Sequence, residues 1–331
     1  MTISAYYFIL KTAFILTKTF NENKAETLQG DNYTMERKLS FTITKQEENL
    51  TVYDFLKKQN FSSRNIIDLK KMNRSILVNN EWVHVNYRLT SGEELLIHIQ
   101  EHQSNEKILP ANLPFPIVYE DEDIVVINKP TDMPTHPSQN NFENTLANAA
   151  AYYYEIEQNT PFIFRCINRL DRDTTGLTIL AKNMYSANVL ASQMQHREIK
   201  RLYLAIVDGT LEKKYGTIRL PIGRKSDSTI ERQVDPIHGE SAITHYCRLR
   251  TLGNYTLAAF QLETGRTHQI RVHMASINAP LIGDTLYNTK PSAYALSRQA
   301  LHAYLLTFTH PVTGKRMKFT APIPEDMLSF I

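Results

Sequence analysis

Hydrophobic and polar residues along the chain are arranged around one polar stretch near its middle, residues 164–182. Apolar positions on either side predict a buried strand that approaches the stretch and a second strand that begins near Leu177. The turn between them holds four charges in five positions: Arg169, Asp171, Arg172 and Asp173. Charged side chains between two buried strands are costly unless they are paired or lie in a cleft. The pattern therefore indicates either a hairpin turn held by Arg–Asp pairs or a functional site.

A compact unit precedes this stretch. Its apolar residues recur first at helical spacing and then in short β-type runs, and Ser62 and Ser63 offer N-caps to the second helix. Residues Asn79 and Asn80 form the turn of a predicted hairpin. The predicted helices are residues 51–58 and 64–72, the hairpin strands are residues 75–78 and 82–85, and the last strand is residues 94–99.

The remainder of the chain mixes helices with strands. Alternation and apolar runs predict strands at residues 117–119, 124–130, 202–207, 241–252 and 255–262. Helical spacing predicts helices at residues 145–155, 184–195 and 265–277. The turn at Gly253 and Asn254 makes the last two strands antiparallel neighbours. The sequence therefore predicts an α+β fold with a mixed, mainly antiparallel sheet flanked by helices, preceded by the small α/β unit.

Composition narrows this picture only a little. The chain has 331 residues, of which 42% are hydrophobic, as is ordinary for a globular protein of one large or two moderate domains. Its net charge of +3 is only mildly basic, so a polyanionic partner has to be argued from local patches. The two cysteines, Cys166 and Cys247, form no CxxC pair and indicate a reducing compartment.

No cofactor is predicted from the residues. His268 and His273 lie five positions apart, which does not put two ligands on one helix face, and no Cys/His cluster joins them. The sequence has no glycine-rich loop for a phosphate. We therefore expect neither a metal nor an organic cofactor.

The first 34 residues differ from the rest. Residues 5–17 are apolar, but Lys11 interrupts them, they are too short to span a bilayer, and they lack the basic start and the cleavage site of a signal peptide. We expect Met35 to be the native start, because residues 29–31 can be encoded by CAA-GGA-GAT, which contains a purine-rich ribosome-binding sequence. The preceding residues would then be untranslated or disordered, with no membrane segment.

The central stretch resembles a known signature. Residues 168–182, NRLDRDTTGLTILAK, closely resemble the H-R-L-D-x-x-T-S-G-L-L-L-x-A-K motif of the RluA-type pseudouridine synthases. Asn168 stands where His is usual, and Thr175 where Ser is usual. The resemblance implies that Asp171 is the catalytic residue, acting either as a nucleophile or as a base.

Two further segments share the resemblance. Residues 262–277, LETGRTHQIRVHMASI, are nearly identical to the family's T-G-R-T-H-Q-I-R-V-H segment, which implies that Arg271 pairs with the catalytic carboxylate. Residues 197–209 resemble its R-x-V-x-K-x-Y-x-A-x-V-x-G element, which implies that Tyr203 stacks on the target base. Arg169 would fill the space that the flipped uridine leaves. Further substrate or RNA contacts are implied at Thr174, Arg266, His268, Gln269 and Ile270.

Some of the segments that resemble the family also have a purely structural interpretation. Residues 128–130 and 135–137 resemble the family's NKPxGMxxHP segment, and a strand that ends at a proline, with its loop, explains them. Taken alone, Tyr203 is an ordinary strand aromatic, and the basic residues of 265–277 are an ordinary solvated helix face.

The small unit has a weaker resemblance. Two basic helices, a V-N-N hairpin and a Gly-Glu strand resemble the S4-like RNA-binding domain that precedes many RluA-type catalytic domains, which implies RNA contacts at Arg64, Lys70 and Lys71. A solvated charged face is the alternative. We expect an extension at residues 1–35, an S4-like domain at 36–100, a linker at 101–113 and a catalytic domain at 114–331. Basic segments at 57–74, 196–201 and 213–232 would hold phosphates.

The resemblance implies an RNA pseudouridine synthase, a cofactor-free isomerase that turns specific uridines into pseudouridine. The N-terminal domain favours large-subunit, 23S-type ribosomal RNA as substrate, by family analogy. A transfer RNA target is one alternative, and a non-catalytic RNA-binding ribosome-assembly factor is another. A nucleic-acid hydrolase would need clustered carboxylates for two metals, and the sequence offers no such cluster. We expect a cytoplasmic monomer whose partner is RNA.

Overall fold

The computed structural model of the chain describes residues 35–101, 104–138, 142–289 and 296–331. The expectations for the first 34 residues lie outside this part. Within it, no helix is both long enough and apolar enough to cross a membrane.

A four-stranded antiparallel sheet forms the N-terminal unit. Its strands are β1 Met35–Thr42, β2 Ile76–Val78, β3 Glu81–Trp82 and β4 Glu94–Glu101. They lie in the order β1-β4-β2-β3, and helices α1 Val52–Lys58 and α2 Ser63–Lys71 bury their apolar sides against one face. Helix α2 begins at one of its predicted caps, because Ser62 forms a capping box with Asn65. Helix α1 is capped by Thr51, which accepts from the N–H of Asp54.

Strand β1 has no counterpart among the predicted elements. Its side chains alternate, with Leu39 and Phe41 towards the core and Lys38 and Ser40 exposed. The inward position before Leu39 is Arg37, whose guanidinium pairs with a carboxylate of the large unit. The apolar alternation is therefore too short to mark a strand in the sequence.

A nine-stranded sheet is the centre of the large unit. The strands of this unit are β5 Ile117–Glu120, β6 Ile124–Lys129, β7 Thr175–Ala181, β8 Lys200–Asp208, β9 Tyr215–Arg219, β10 Ile222–Arg224, β11 Arg232–Val234, β12 Ile243–Leu252, β13 Tyr255–Leu262, β14 Leu301–Thr309 and β15 Arg316–Thr320. The sheet has the order β5-β6-β7-β14-β8-β13-β12-β9, with β15 on β14, while β10 and β11 form a separate ribbon. Among the described strands, only β7 and β14 pair in parallel. This mixed, mainly antiparallel arrangement confirms the predicted fold class.

The described part of the large unit has four α-helices: α3 Leu146–Ala151, α4 Met184–Gln195, α5 Gln269–Ser276 and α6 Glu325–Leu328. Helix α3 continues as a π-helical segment, Tyr152–Glu157, close to the predicted helix at 145–155. Helix α4 has the predicted bounds. Helix α5 is shorter than predicted, because its N-cap His268 has a φ of 58° and residues 265–268 form a loop.

The two units share a hydrophobic core through α4. The rings of Phe61 and Tyr185 lie 4.5 Å apart, and Tyr185 belongs to the same apolar cluster as the residues under α1 and α2. Glu101, at the end of β4, forms a bidentate ion pair with Arg165 of the large unit, both contacts at 2.9 Å. Bidentate Arg–carboxylate pairs fix orientation as well as distance.

The segment that the sequence predicts to be a linker lies against the large unit. The Asn148 amide of α3 donates to the carbonyl of Leu109 at 2.7 Å, and the Asn105 side chain accepts from the N–H of Phe164 at 2.6 Å. These side chains satisfy backbone groups that no strand pairs.

We expect Phe61→Ala to lower the free energy of unfolding by about 3–5 kcal/mol, because the side chain is 1% exposed within the shared core. Urea unfolding followed by circular dichroism should remain one transition, moved to lower urea. Tyr53→Ala, at an exposed position of the same unit, is the control and should change the free energy by no more than about 0.5 kcal/mol. Two transitions, of which only one moves, would contradict the shared core.

Candidate active site

Asp171 lies in a turn, residues 170–174, directly before β7. The segment that leads into the turn is not the strand that the sequence predicts. It pairs with β7 through one isolated bridge, Cys166 to Leu180. Side chains therefore provide much of the support that a regular strand would give.

Asn168 joins the leading segment to β7. Its buried amide donates to the carbonyl of Leu177 and its Oδ1 accepts from the N–H of Ile179, both at 3.0 Å. The carbonyl of Asn168 also accepts from the Thr178 hydroxyl at 2.7 Å. A side-chain amide carries one acceptor and two donors, so it replaces the backbone groups of the missing strand.

Lys129 binds the backbone of the turn through its ammonium group. Its buried ammonium donates to three backbone carbonyls, those of Pro130 at 2.7 Å, Met133 at 2.9 Å and Arg172 at 2.8 Å. Burial lowers the pKa of Lys129 to about 7, against the opposing charges of Asp171 and Asp173. An ammonium has three donors, so all three bonds require the protonated form.

Two uncharged side chains hold the ends of the turn. Thr135 Oγ1 donates to the carbonyl of Leu170 at 2.9 Å. At the other end, the Gln299 amide donates to the hydroxyl of Thr174 at 3.2 Å. Both contacts are buried, so they resist exchange with water.

Arg298 connects the turn to the C-terminal helix. Its guanidinium donates to the carbonyl of Asp173 at 3.3 Å. It also forms a bidentate ion pair with Asp326 of α6, at 2.7 and 2.8 Å. The side chain of Arg298 is nearly fully buried, and the ion pair compensates for its desolvation.

Arg271 of α5 faces Asp171 from the opposite wall. Its Nη1 lies 3.3 Å from an Asp171 carboxylate oxygen, and Nε and Nη2 bond both oxygens of buried Asp284, at 2.7 and 2.8 Å. The Tyr287 ring lies 5.0 Å from the guanidinium carbon. Burial alone would lower the pKa of Arg271, but the hydrogen bonds and charge of Asp284, together with Asp171, raise it above its ordinary value. Arg271 therefore stays charged.

Tyr203 lies on β8 in the wall of the same site. Its ring is 4% exposed, and burial raises the pKa of its hydroxyl, so the group stays protonated. Arg201, two residues earlier and on the same face of β8, lies beside this hydroxyl.

The amide of Gln269, at the start of α5, is fully used inside the protein. Its Nε2 donates to the carbonyl of Ile243 and to Thr244 Oγ1, each at 3.0 Å. Its Oε1 accepts from Thr264 Oγ1 at 2.8 Å and from the N–H of Arg266 at 3.0 Å. The amide of Gln269 therefore shapes the loop before α5, and its contact with RNA stays a prediction.

His268 and Arg266 belong to this loop. His268 Nδ1 lies 2.8 Å from the Tyr287 hydroxyl, and burial lowers the pKa of His268, so its ring is neutral near pH 7. Arg266 pairs with Glu240 and donates to the carbonyl of Ser241 at 3.1 Å.

These elements border one open cleft of about 770 Å³. The structure brings nine predicted site residues together along it: Arg169, Asp171, Thr174, Tyr203, Arg266, His268, Gln269, Ile270 and Arg271. The other three predicted residues, Arg64, Lys70 and Lys71, lie on α2 of the N-terminal unit and do not border the cleft.

Several residues that build the site are absent from the predicted set: Lys129, Thr135, Asn168, Asp284, Arg298 and Gln299. Lys129 and Thr135 come from segments for which the sequence suggested a structural role, and residues 135–137 also border the cleft. For Asp284 a signal existed, since a buried arginine needs a fixed acidic partner and few acids lie near α5. Arg298 and Gln299 are 125 residues from the turn atoms that they bond, and no sequence spacing reveals such contacts.

One group of described residues has oxygen and nitrogen atoms close enough for a metal: Asp121, Asp123 and His310. It does not border the cleft. His310 Nε2 contacts Asp121 at 2.9 Å, and Asp123 is paired with Arg37. These contacts describe a structural ion network that fastens the two units.

The stability of the fold should rise with pH because of Lys129. Above about pH 7 folded Lys129 loses its proton, while the unfolded chain keeps its proton up to the ordinary pKa of 10.5, so the unfolded state binds more protons in this range. The free energy of unfolding should gain up to about 1.4 kcal/mol per pH unit from this group. Urea unfolding between about pH 7 and 9 should show this slope relative to Lys129→Met, which cannot titrate; parallel profiles would contradict it.

Comparison with known proteins identifies the family. The family model described as RNA pseudouridylate synthase matches residues 123–276. The chain is 38% identical to the uncharacterized RNA pseudouridine synthase YjbO of Bacillus subtilis, over 85% of this chain and 98% of the relative. It is 39% identical to ribosomal large subunit pseudouridine synthase D of Escherichia coli K12, over 74% of this chain and 77% of the relative.

The solved structures agree in fold. Human RNA pseudouridylate synthase domain containing 1 superposes with a TM-score of 0.53 at 24% identity, covering 64% of this chain and 84% of the human chain. With relatives of this identity and coverage, the chain belongs to the RNA pseudouridine synthase family and is an isomerase that acts on RNA.

Proposed function

We propose that this enzyme converts uridine to pseudouridine in large-subunit ribosomal RNA, with Asp171 as the catalytic residue. The observation that carries the catalytic assignment is the Asp171 carboxylate, 22% exposed in the cleft and 3.3 Å from buried Arg271. The rRNA target is supported by relatives from Pasteurella multocida and Escherichia coli that are named ribosomal large subunit pseudouridine synthase D.

The reaction needs a carboxylate but no cofactor. The bond between N1 of uracil and C1′ of the ribose breaks, the uracil rotates, and C5 bonds to C1′. A general base then removes the proton from C5, and N1 takes up a proton, so the reaction is a net isomerisation. Asp171 can take part either by attacking the sugar or base covalently or by removing a proton from the sugar. Both routes require an ionised carboxylate that faces the bound uridine.

Arg271 would orient that carboxylate. Its guanidinium is held by two bonds to Asp284, which leaves Nη1 directed at Asp171. Lys129, Thr135, Arg298 and Gln299 would act as positioning residues, because each bonds the turn and not the substrate.

The uridine has to leave its stack before Asp171 can reach it. Arg169 is exposed beside Asp171 at the mouth of the cleft, so its guanidinium can fill the vacated space. Tyr203 and Ile270 line the cleft and would form the wall against the extruded base. Stacking of the base on the Tyr203 ring, which is 4% exposed, is part of the proposal.

The N-terminal unit would hold RNA away from the cleft, as an S4-like domain. Arg64, Lys70 and Lys71 are exposed on α2, which agrees with phosphate contacts. We keep the division into this domain at 36–100, a connecting segment at 101–113 and a catalytic domain at 114–331 as part of the proposal.

Asp171→Asn should abolish pseudouridine formation, by about 10³-fold or more, because the amide can neither attack nor accept the proton. Pseudouridine mapping on total RNA, in cells with and without the gene, gives both activity and target. A large-subunit site should disappear without the gene and return with the wild type but not with Asp171→Asn. If Asp171→Asn restored the site, Asp171 would not be the catalytic residue. If a transfer RNA site disappeared instead, the substrate would be transfer RNA and not ribosomal RNA.

Arg271→Lys should lower kcat by about 10- to 100-fold with little change in RNA affinity. An ammonium cannot keep both Asp284 oxygens and still reach Asp171, and a hydrogen bond to a charged group contributes about 1.5–3 kcal/mol. Single-turnover kinetics and filter binding separate the two effects. Arg172→Lys, an exposed cation of the same cleft, is the control; it should leave the single-turnover rate within about threefold. Equal effects of the two variants would contradict the role of Arg271.

A further inference from the structure

One face of the N-terminal sheet points away from α1 and α2 and is exposed in the described part of the chain. Four side chains line up across it, from β1 through β4 and β2 to β3: Ser40, Leu96, Leu77 and Trp82. The register makes each the direct partner of the next. Direct partners on neighbouring strands project from the same face, so the four form one transverse row.

Trp82 dominates this row. It is 50% exposed, and its ring packs edge-on against His84 at 4.3 Å. Leu77 and Leu96 are half-buried beside it. A tryptophan left half in water forgoes much of the stabilisation that its burial would give. An exposed aromatic ring on a β-sheet of an enzyme that acts on RNA is the arrangement on which an unstacked base packs.

Two cations near the row, Lys38 and Arg74, could contact phosphates. Lys38 is exposed one step along the same face from Ser40, and it forms no ion pair in the described part of the chain. Arg74 lies at the hairpin end, where it donates to the carbonyl of Asn80 at 3.2 Å. The same face also carries two carboxylates: Glu36, which contacts His98 at 3.0 Å, and Glu94, which accepts a hydrogen bond from the Thr42 hydroxyl at 2.6 Å and keeps its charge.

We propose that this sheet face binds a single-stranded segment of the substrate RNA, with one base stacked on Trp82 and the backbone running past Lys38 and Arg74. The proposal rests on the RNA-binding role proposed for the N-terminal unit and names a surface distinct from the basic helix α2. Duplex RNA does not fit, because its bases are already stacked on one another.

Trp82 is the chain's only tryptophan, so its fluorescence reports on this surface alone. The full chain with Asp171→Asn is titrated with oligouridylate and, separately, with an RNA duplex of equal length. Oligouridylate should quench the emission in step with binding measured by filter retention, and the duplex should not. Unchanged emission at saturating oligouridylate would overturn the proposal. So would emission of the free protein that is already typical of a buried tryptophan, because another part of the chain would then cover the face.

Variants of Trp82 measure how much its ring contributes to the free energy of RNA binding. Trp82→Ala should raise the Kd for oligouridylate about tenfold, and Trp82→Phe, which keeps a smaller stacking surface, should raise it less. Ile156→Ala, at a comparably exposed apolar position of the large unit, should leave the Kd unchanged. Equal Kd values for wild type and Trp82→Ala would overturn the proposal.

The experiments distinguish an incorrect RNA-stacking surface from an incorrect RNA target. If rRNA is modified but Trp82→Ala binds normally, only the stacking surface is wrong. If no rRNA site depends on the gene while oligouridylate still quenches Trp82, the surface stands and the target has to be replaced.

Discussion

The site depends on one buried cation shared by two carboxylates. Arg271 can remain charged inside the protein because Asp284 bonds it from one side, and this bidentate contact fixes the plane of the guanidinium. One N–H direction is left for Asp171, which lies 100 residues earlier in the chain. The loop before α5, with the fully bonded Gln269 amide, and the turn before β7 have to meet at this point. Much of the large sheet can be understood as the framework that brings them together.

The direction of the Asp171 side chain is set through the backbone of its turn. Lys129, Arg298 and Thr135 bond carbonyls of the turn, and Gln299 bonds its one buried hydroxyl. They come from well-separated segments of the chain, so the turn is held from several directions at once. This arrangement compensates for the lack of a regular strand before Asp171. It also explains why a fully buried lysine is tolerated: three carbonyl acceptors replace its water shell.

What the sequence predicted correctly depends on local signals. The bounds of α4, the cap of α2 and the turn between β12 and β13 follow from periodicity, capping and turn residues, all of which act within a few positions. Strand β1, the irregular segment before Asp171 and the late start of α5 were not predictable in this way. In β1 an inward position is taken by Arg37, which pairs with distant Asp123. The segment before Asp171 is held by the Asn168 amide, and α5 begins late because His268 has a left-handed backbone. The family motif located Asp171 and Arg271, but it did not indicate the buried contacts that orient them.

The N-terminal unit is connected to the same framework. Glu101 ends β4 and pairs with Arg165, six residues before Asp171, while one of its oxygens also accepts from the N–H of Met184 at the start of α4. The two units therefore meet at the segment that leads into the turn that holds Asp171. If both units bound one RNA, a flexibly tethered N-terminal unit would lose conformational entropy on binding. A unit that is already fixed to the large unit avoids this loss. It also imposes a set distance between the N-terminal sheet and the cleft. An RNA that touches both must present its uridine at that distance, so its folded shape, more than the sequence around the uridine, would decide which site is modified.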